Sequence, residues 1–143
     1  MENRLLWVSV MECAVAAIKV LIVDDDQGSR ELLSEVLASN GYAVVAAADG
    51  ASAREELARD DGYKVVIADL RMPNGSGLDL LREMRRGNHQ QELILMSSFM
   101  TTIEKQQALE LGARALLEKP FRLSQLLDAV GNIADRKSIG IKL

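Results

Sequence analysis

The feature that most constrains the fold of this chain is a repeated alternation between short apolar runs and longer amphipathic stretches. The apolar runs lie at residues 20–23, 43–47, 64–68, 93–96 and 113–117. A run that is apolar at every position indicates a strand buried on both faces, as in parallel sheets. Five strand–helix units over about 118 residues therefore predict a doubly wound α/β fold, with a five-stranded parallel sheet and helices on both faces.

The stretches between the apolar runs carry the spacing and end signals of helices. Apolar residues recur at three- and four-residue intervals, most clearly in the first and last stretches, at Leu32, Leu33, Val36, Leu37, Leu123, Leu126, Leu127, Val130 and Ile133. Gly41 and Gly112 are typical helix stops. Thr101 followed three residues later by Glu104 predicts a capping box, and therefore the start of the fourth helix.

Composition excludes several classes of protein. The chain has 143 residues, 48% of them hydrophobic and 27% charged, which is enough apolar material for one folded core. Its net charge is −4, so it lacks the basic surface expected for direct nucleic-acid binding. Cys13 is the only cysteine, so no intrachain disulfide can form, which fits a cytoplasmic protein.

The amino terminus loosely resembles a signal peptide. Arg4 precedes a mostly apolar run at 5–18, which Ser9 and Glu12 interrupt. The run is too short and too interrupted to span a bilayer comfortably, and it enters the first strand without a polar spacer. We expect no membrane association. We expect residues 1–18 to form an added helix or strand, or residue 1 to be an upstream start with Met11 as the native one.

Polar side chains that can do chemistry follow four of the predicted strands. The triple-acid turn 24–26 follows the first strand, and Asp69, Ser97 and Lys119 follow the third, fourth and fifth. The carboxyl ends of parallel strands meet at one edge of a sheet, where ligands bind in such folds. We therefore expect these residues to converge although they are far apart in the sequence.

Crowded carboxylates at that edge require a cation. At about 5 Å and an effective dielectric of about 20, two carboxylates repel by roughly 3 kcal/mol. Hard oxygen ligands without histidine or cysteine favour Mg²⁺ or Ca²⁺, and the chain has no twelve-residue calcium loop. An acid, a lysine, a hydroxyl and Mg²⁺ together suit phosphoryl transfer, with Asp69 as the best candidate nucleophile.

The ordered set of motifs resembles the receiver domain of two-component response regulators, the CheY-like superfamily. The matching residues are 20–26 (VLIVDDD), 65–73 (VVIADLRMP), Gly77-Leu78, Ser97, Gly112-Ala113 and 119–121 (KPF). The resemblance covers residues 19–136. It leaves 1–18 as an extension of unknown role and 137–143 as a tail or linker stub, and it implies the flavodoxin-like strand order 2-1-3-4-5.

The resemblance assigns roles to the acidic residues. Asp69 is expected to receive a phosphoryl group from a phosphohistidine on a sensor histidine kinase or a histidine phosphotransfer protein. Asp25 is expected to bind Mg²⁺ directly and Asp24 mainly through water. Asp69 and the main-chain carbonyl of Arg71 complete the ligand set. Asp26 is expected to cap the first helix.

The remaining site residues are expected to convert phosphorylation into a signal. Lys119 would pair with the phosphoryl group, and its bond to Pro120 is expected to be cis. Ser97 would move to hydrogen-bond the phosphoryl group and thereby switch the face of the fourth helix, fifth strand and fifth helix. That face would then signal to an output domain or a partner, or bind a second copy of the chain. Such a domain is a switch that catalyses only its own phosphorylation and dephosphorylation.

Four positions depart from the family pattern or vary within it. Ser97 replaces the more frequent threonine and keeps the hydroxyl. Leu116 stands where many members carry an aromatic residue, which puts the usual aromatic switch in doubt. Arg71 and Phe99 occupy variable positions beside the site, where we expect them to control the access of water to the phosphoaspartate.

Three other functions compete with the receiver assignment. A haloacid dehalogenase-type phosphatase would use Asp24 and Asp26, but Gly28 stands where its motif needs threonine. A flavin-binding flavodoxin-like module would need a Ser/Thr/Gly-rich phosphate loop after the first strand. A degenerate receiver used only for docking would not need the intact acid, hydroxyl and lysine set. His89, the only histidine, lies in a predicted loop and is not expected to act.

Overall fold

The computed structural model describes residues 17–134, which contain five strands and five helices in strict alternation. The strands are β1 (Lys19–Val23), β2 (Ala43–Ala47), β3 (Tyr63–Asp69), β4 (Glu92–Ser97) and β5 (Ala115–Glu118). The helices are α1 (Gln27–Ser39), α2 (Gly50–Arg59), α3 (Gly77–Arg86), α4 (Thr102–Glu110) and α5 (Leu123–Ala134).

The strands form one parallel sheet in the order β2-β1-β3-β4-β5, as predicted. The chain therefore winds in both directions from β1, which pairs with β2 on one side and with β3 on the other. Val23 at the end of β1 is paired with Ala68, and Asp69 at the end of β3 is paired with Met96. This register aligns the carboxyl ends of the three central strands.

Two hydrophobic cores lie on the two faces of the sheet. Successive residues of a strand point to opposite faces, so Val20 and Ile22 enter one core while Leu21 and Val23 enter the other. Helices α1 and α5 cover the first face, and α2, α3 and α4 cover the second. Because β1, β3 and β4 are buried on both sides, they form a rigid base for the loops at their ends.

The structure differs from the sequence prediction at three places. The strand predicted at 113–117 is Ala115–Glu118, because the main-chain N–H of Ala113 still bonds to the Ala108 carbonyl and ends α4. In α1, Leu32 is half exposed, and the core contacts come from Leu33 and Leu37. Helix α4 buries only Ala108 among the residues of its range, so its apolar residues do not form a core-facing stripe.

The two ends of the chain lie largely outside the described residues. This applies to the extension at 1–18, except its last two residues, and to the tail at 137–143. The proposed start at Met11 and the lone Cys13 also fall there. Within residues 17–134, no helix is both long enough and apolar enough to cross a bilayer.

Gly77 allows α3 to begin directly against the end of β3. A Cβ atom at this position would lie 2.6 Å from Leu95 Cδ1 and 2.7 Å from the Asp69 carbonyl oxygen. The hydroxyl of Ser76 accepts a hydrogen bond from the main-chain N–H of Asp79, and the Asp79 carboxylate accepts one from the main-chain N–H of Ser76. Any larger side chain at Gly77 would therefore push the helix away from the strand that carries Asp69.

We predict that Gly77→Ala lowers the free energy of unfolding by about 1–3 kcal/mol, because the added methyl group overlaps backbone. Gly131→Ala is the matched control. It lies in α5 with nothing within 4 Å of the added Cβ, so it should stabilise the protein by up to about 1 kcal/mol. Urea unfolding midpoints measure both changes. Equal shifts for the two variants would contradict the close approach at Gly77.

Candidate functional site

The three acids after β1 have three different environments. Asp24 is fully buried, and its Oδ1 accepts a 3.0 Å hydrogen bond from the main-chain N–H of Asp26. Arg30 donates to the Asp24 carbonyl at 2.8 Å, which fixes the turn against α1. Asp25 is exposed. Asp26 caps α1 by accepting from the Ser29 N–H at 2.8 Å, as predicted, so this carboxylate faces the helix end.

Asp69 lies at the end of β3, is 7% exposed, and has each carboxylate oxygen engaged. Its Oδ2 accepts a 2.7 Å hydrogen bond from the Lys119 ammonium, and its Oδ1 accepts a 3.1 Å bond from the main-chain N–H of Arg71. The same ammonium lies 3.4 Å from Oδ2 of Asp24. One cation, from the residue after β5, thus joins carboxylates at the ends of β1 and β3.

The predicted cluster of acids is present and has the dimensions of a metal site. One carboxylate oxygen from each of Asp24, Asp25 and Asp69 lies within 4.8 Å of the other two. Three negative charges face one ammonium, so the pocket carries excess negative charge. The ligand atoms are hard oxygens, which suit Mg²⁺. The carbonyl of Arg71, the further ligand that the resemblance implies, stays a prediction.

Lys119 remains charged in this pocket. Partial burial disfavours its ammonium form, but the hydrogen bond and charge of Asp69, together with Asp24, outweigh that effect. The pKa of Lys119 therefore lies above its ordinary value. A cation that stays protonated at every physiological pH can hold the carboxylates together and can also receive a phosphoryl oxygen.

Ser97 reaches the same edge of the sheet, but its hydroxyl bonds within its own loop. The side chain is fully buried, its O–H donates to the Phe99 carbonyl at 2.7 Å, and its Oγ accepts from the Phe99 N–H at 3.2 Å. The Ser97 carbonyl accepts a 2.8 Å bond from the main-chain N–H of Lys119, which ties β4 to the residue that follows β5. The hydroxyl must leave Phe99 to act on a group at Asp69.

The segment after β5 has the expected backbone. The peptide bond between Lys119 and Pro120 is cis, as predicted. Leu116, where the resemblance implies a frequent aromatic residue, is half-buried and packs against the core under α2, α3 and α4. Phe121 packs against the opposite core.

Sequence reasoning missed one pair of residues beside the site. The Arg71 guanidinium donates two hydrogen bonds of 2.8 Å to the Glu104 carboxylate and a third, of 3.3 Å, to the Phe99 carbonyl. The two partners are 33 positions apart. The only available signal was the position of Glu104 in the capping box, which explains a bond to Thr101 but not one to Arg71.

His89 lies away from the site. It lines a groove of about 600 Å³ together with Tyr63 and Glu92, the first residues of β3 and β4. The acids and Lys119 lie at the other ends of the strands. This location agrees with the expectation that the histidine takes no part in the chemistry.

Comparisons with known proteins agree with the geometry. A family model described as "Response regulator receiver domain" matches residues 20–131. The transcriptional regulatory protein CpxR of Klebsiella pneumoniae is 36% identical over 118 residues, which are 82% of this chain and 50% of the relative. Response regulator MprA of Mycobacterium leprae is 37% identical over 109 residues, 76% of this chain and 47% of the relative. The chain thus spans about half the length of these curated relatives.

Solved structures give the same result. A response regulator receiver protein from Pseudomonas putida has a TM-score of 0.76 at 35% identity, covering 82% of this chain and 98% of the other. The chemotaxis protein CheY4 of Vibrio cholerae has a TM-score of 0.76 at 29% identity, covering 82% and 99%.

The raised pKa of Lys119 predicts a pH dependence of stability. Above the ordinary lysine pKa of about 10.4 the unfolded chain loses the Lys119 proton, while the folded protein keeps it. The contribution of charged Lys119 to the free energy of unfolding is therefore complete below that pH, and it is lost as the pH rises through the pKa of the folded protein. Without metal, the wild type should lose stability more steeply than Lys119→Met between about pH 9.5 and about pH 11.5. Urea unfolding at each pH measures this. Parallel slopes for the two proteins would contradict it.

Proposed function

This chain belongs to the response regulator receiver domain family, and we propose that it accepts a phosphoryl group on Asp69 from a phosphohistidine. One observation carries the proposal. The nearly buried Asp69 carboxylate accepts a 2.7 Å hydrogen bond from the Lys119 ammonium and lies within 4.8 Å of two further carboxylates, a set suited to a divalent cation. Nucleophile, fixed cation and metal ligands are the parts that phosphoryl transfer requires.

The proposed reaction is a displacement at phosphorus. A carboxylate oxygen of Asp69 forms the new O–P bond, the P–N bond to the donor imidazole breaks, and the nitrogen leaves with the electron pair. Lys119 lies against Asp69 and holds the negative charge of the transferred group. The same residues would support the later hydrolysis, in which water forms the new O–P bond, the bond from phosphorus to the Asp69 oxygen breaks, and inorganic phosphate leaves. The domain would thus act on its own phosphoryl group and not on a separate substrate.

The acidic residues would hold Mg²⁺ as the cofactor. Asp25 and Asp69 would bind it directly, Asp24 mainly through water, and the Arg71 carbonyl would complete the protein ligands. When bound, Mg²⁺ supplies positive charge against the phosphoryl oxygens. The exposure of Asp25 beside two buried carboxylates supports this assignment, because it leaves an open path for a hydrated ion.

Phosphorylation would be transmitted through Ser97. Its hydroxyl would leave the Phe99 carbonyl for the phosphoryl group and carry the loop before α4 with it. The surface of α4, β5 and α5 would then change. Exposed apolar side chains on α4 and α5 support a docking role for this surface, namely Ile103, Leu109 and Leu123. Because Leu116 replaces the aromatic residue, the change would travel through the loop and α4.

The proposal extends to partners and to the limits of the domain. The phosphodonor would be a sensor histidine kinase or a histidine phosphotransfer protein in the cytoplasm. The receiver domain would span residues 19–136, and its output would be another domain, a separate partner or a phosphorylation-dependent homodimer. The net charge of −4 supports a domain that does not itself bind nucleic acid.

We predict that acetyl phosphate with Mg²⁺ adds the mass of one phosphoryl group to the wild type, and that the added group is labile to hydroxylamine, as an acyl phosphate is. Asp69→Asn should gain no mass, because it removes the nucleophile. Asp26→Asn is the control, since it changes a nearby acid to a residue that caps a helix equally well, and it should be phosphorylated normally. Intact-protein mass spectrometry measures all three, and modification of Asp69→Asn would contradict the assignment.

We also predict that Mg²⁺ stabilises the folded protein, because the carboxylates come together only on folding. At ten times its dissociation constant the ion should add about 1.4 kcal/mol to the free energy of unfolding. Asp25→Asn should remove most of this gain, and Asp26→Asn should keep it. Thermal unfolding with and without Mg²⁺ gives the comparison. The same gain in both variants would place the ion elsewhere.

A further inference from the structure

The Arg71 side chain contacts the loop that follows Ser97, the last residue of β4. The guanidinium lies between two acceptors, the Glu104 carboxylate at the start of α4 and the Phe99 carbonyl in the loop itself. Arg71 is the second residue after Asp69, and its main-chain N–H bonds to the Asp69 carboxylate. A single residue therefore contacts the acceptor carboxylate through its backbone and the Ser97 loop through its side chain.

The Arg71 guanidinium and the Ser97 hydroxyl both donate to the same atom, the Phe99 carbonyl oxygen. That oxygen accepts the Ser97 hydroxyl at 2.7 Å and the Arg71 guanidinium at 3.3 Å. The hydroxyl can turn toward Asp69 only if its bond to this carbonyl breaks. While Arg71 holds the Phe99 carbonyl in place, that oxygen remains available to the Ser97 hydroxyl and competes with any acceptor at Asp69.

Glu104 fixes Arg71 in turn. Its side chain is only 20% exposed, and its Oε1 accepts both the Thr101 N–H at 2.9 Å and the guanidinium at 2.8 Å. Its Oε2 accepts the second guanidinium bond, so the pair is bidentate. Arg71 holds the pKa of Glu104 below its ordinary value, so the pair stays charged at neutral pH.

We propose that Glu104 is a positioning residue for phosphoryl binding, because with Arg71 it forms a latch that keeps the Ser97 hydroxyl on the Phe99 carbonyl. The latch favours the unphosphorylated arrangement and weakens affinity for a phosphoryl group on Asp69. The inference rests on the proposed phosphoacceptor function. A positioning role differs from a purely structural role of Glu104, because the effect of Glu104 on phosphoryl binding must then depend on the Ser97 hydroxyl.

Glu104→Gln tests the latch without removing the helix cap. Glutamine at the third helical position keeps an oxygen acceptor for the Thr101 N–H. It replaces Oε2 with an amide donor, which cannot accept from Arg71. The matched control is Glu83→Gln, which breaks the ion pair of Glu83 with Arg54 between α2 and α3 and makes the same change of charge.

The probe is beryllofluoride with Mg²⁺, a stable analogue of the phosphoryl group, and calorimetric titration of the full chain gives its affinity. Because it loses a partly exposed ion pair, Glu104→Gln should bind beryllofluoride about threefold more tightly than the wild type does. Glu83→Gln should bind it as the wild type does. In a Ser97→Ala background the advantage of Glu104→Gln should disappear, because no hydroxyl remains to be released.

The outcomes separate the latch from the function on which it rests. If the wild type binds beryllofluoride and Glu104→Gln binds it no better than Glu83→Gln, the latch is wrong and the phosphoacceptor site stands. If the advantage persists in the Ser97→Ala background, Glu104 acts by another route and the latch is again wrong. If the wild type does not bind the analogue at all, the phosphoacceptor function fails and the latch fails with it.

Discussion

Repulsion among carboxylates at one end of the sheet is the constraint on which the rest of the structure depends. Asp24 and Asp69 are buried at the ends of the adjacent strands β1 and β3, and Asp25 adds a third charge within 4.8 Å. At about 5 Å and an effective dielectric of about 20, each such pair repels by roughly 3 kcal/mol. The ammonium of Lys119, bonded to Asp69 at 2.7 Å, offsets this repulsion but leaves more carboxylates than cations in the pocket. The excess negative charge suits an additional cation, and the proposed phosphoryl chemistry rests on that excess.

The fold keeps this unfavourable arrangement in place by burying the strands that carry it. Both faces of β1 and β3 are covered, so the acids cannot separate without disrupting a core. The parts that move in the proposed switch lie at the strand ends and in the loops instead. Ser97 stands at the border of the two regions, because its backbone ends β4 while its hydroxyl bonds to the loop carbonyl of Phe99. A rigid base with one hydroxyl that can exchange hydrogen-bond partners is suited to the proposed switch.

Much of this could be predicted from the sequence, because uniform apolar runs indicate parallel strands and such strands align their carboxyl ends. The parallel sheet and the cluster of Asp24, Asp25 and Asp69 agree with that reasoning, and the strand order and the cap at Asp26 agree with what the family resemblance implies. The Arg71–Glu104 pair could not be predicted, because side chains 33 positions apart meet only through tertiary packing. The direction of the Ser97 hydroxyl was equally inaccessible, since it depends on competition between two acceptors.

In the proposed function, a divalent ion and the phosphoryl-accepting carboxylate of Asp69 occupy the same pocket. The most direct measurement is a crystal structure of the full chain grown with Mn²⁺ in place of Mg²⁺, with the ion located by its anomalous scattering. We expect a single strong peak in contact with the carboxylates of Asp25 and Asp69, with the Lys119 ammonium still bonded to Asp69. A peak remote from Asp69, or an Asp69 side chain turned away from the ion, would contradict it.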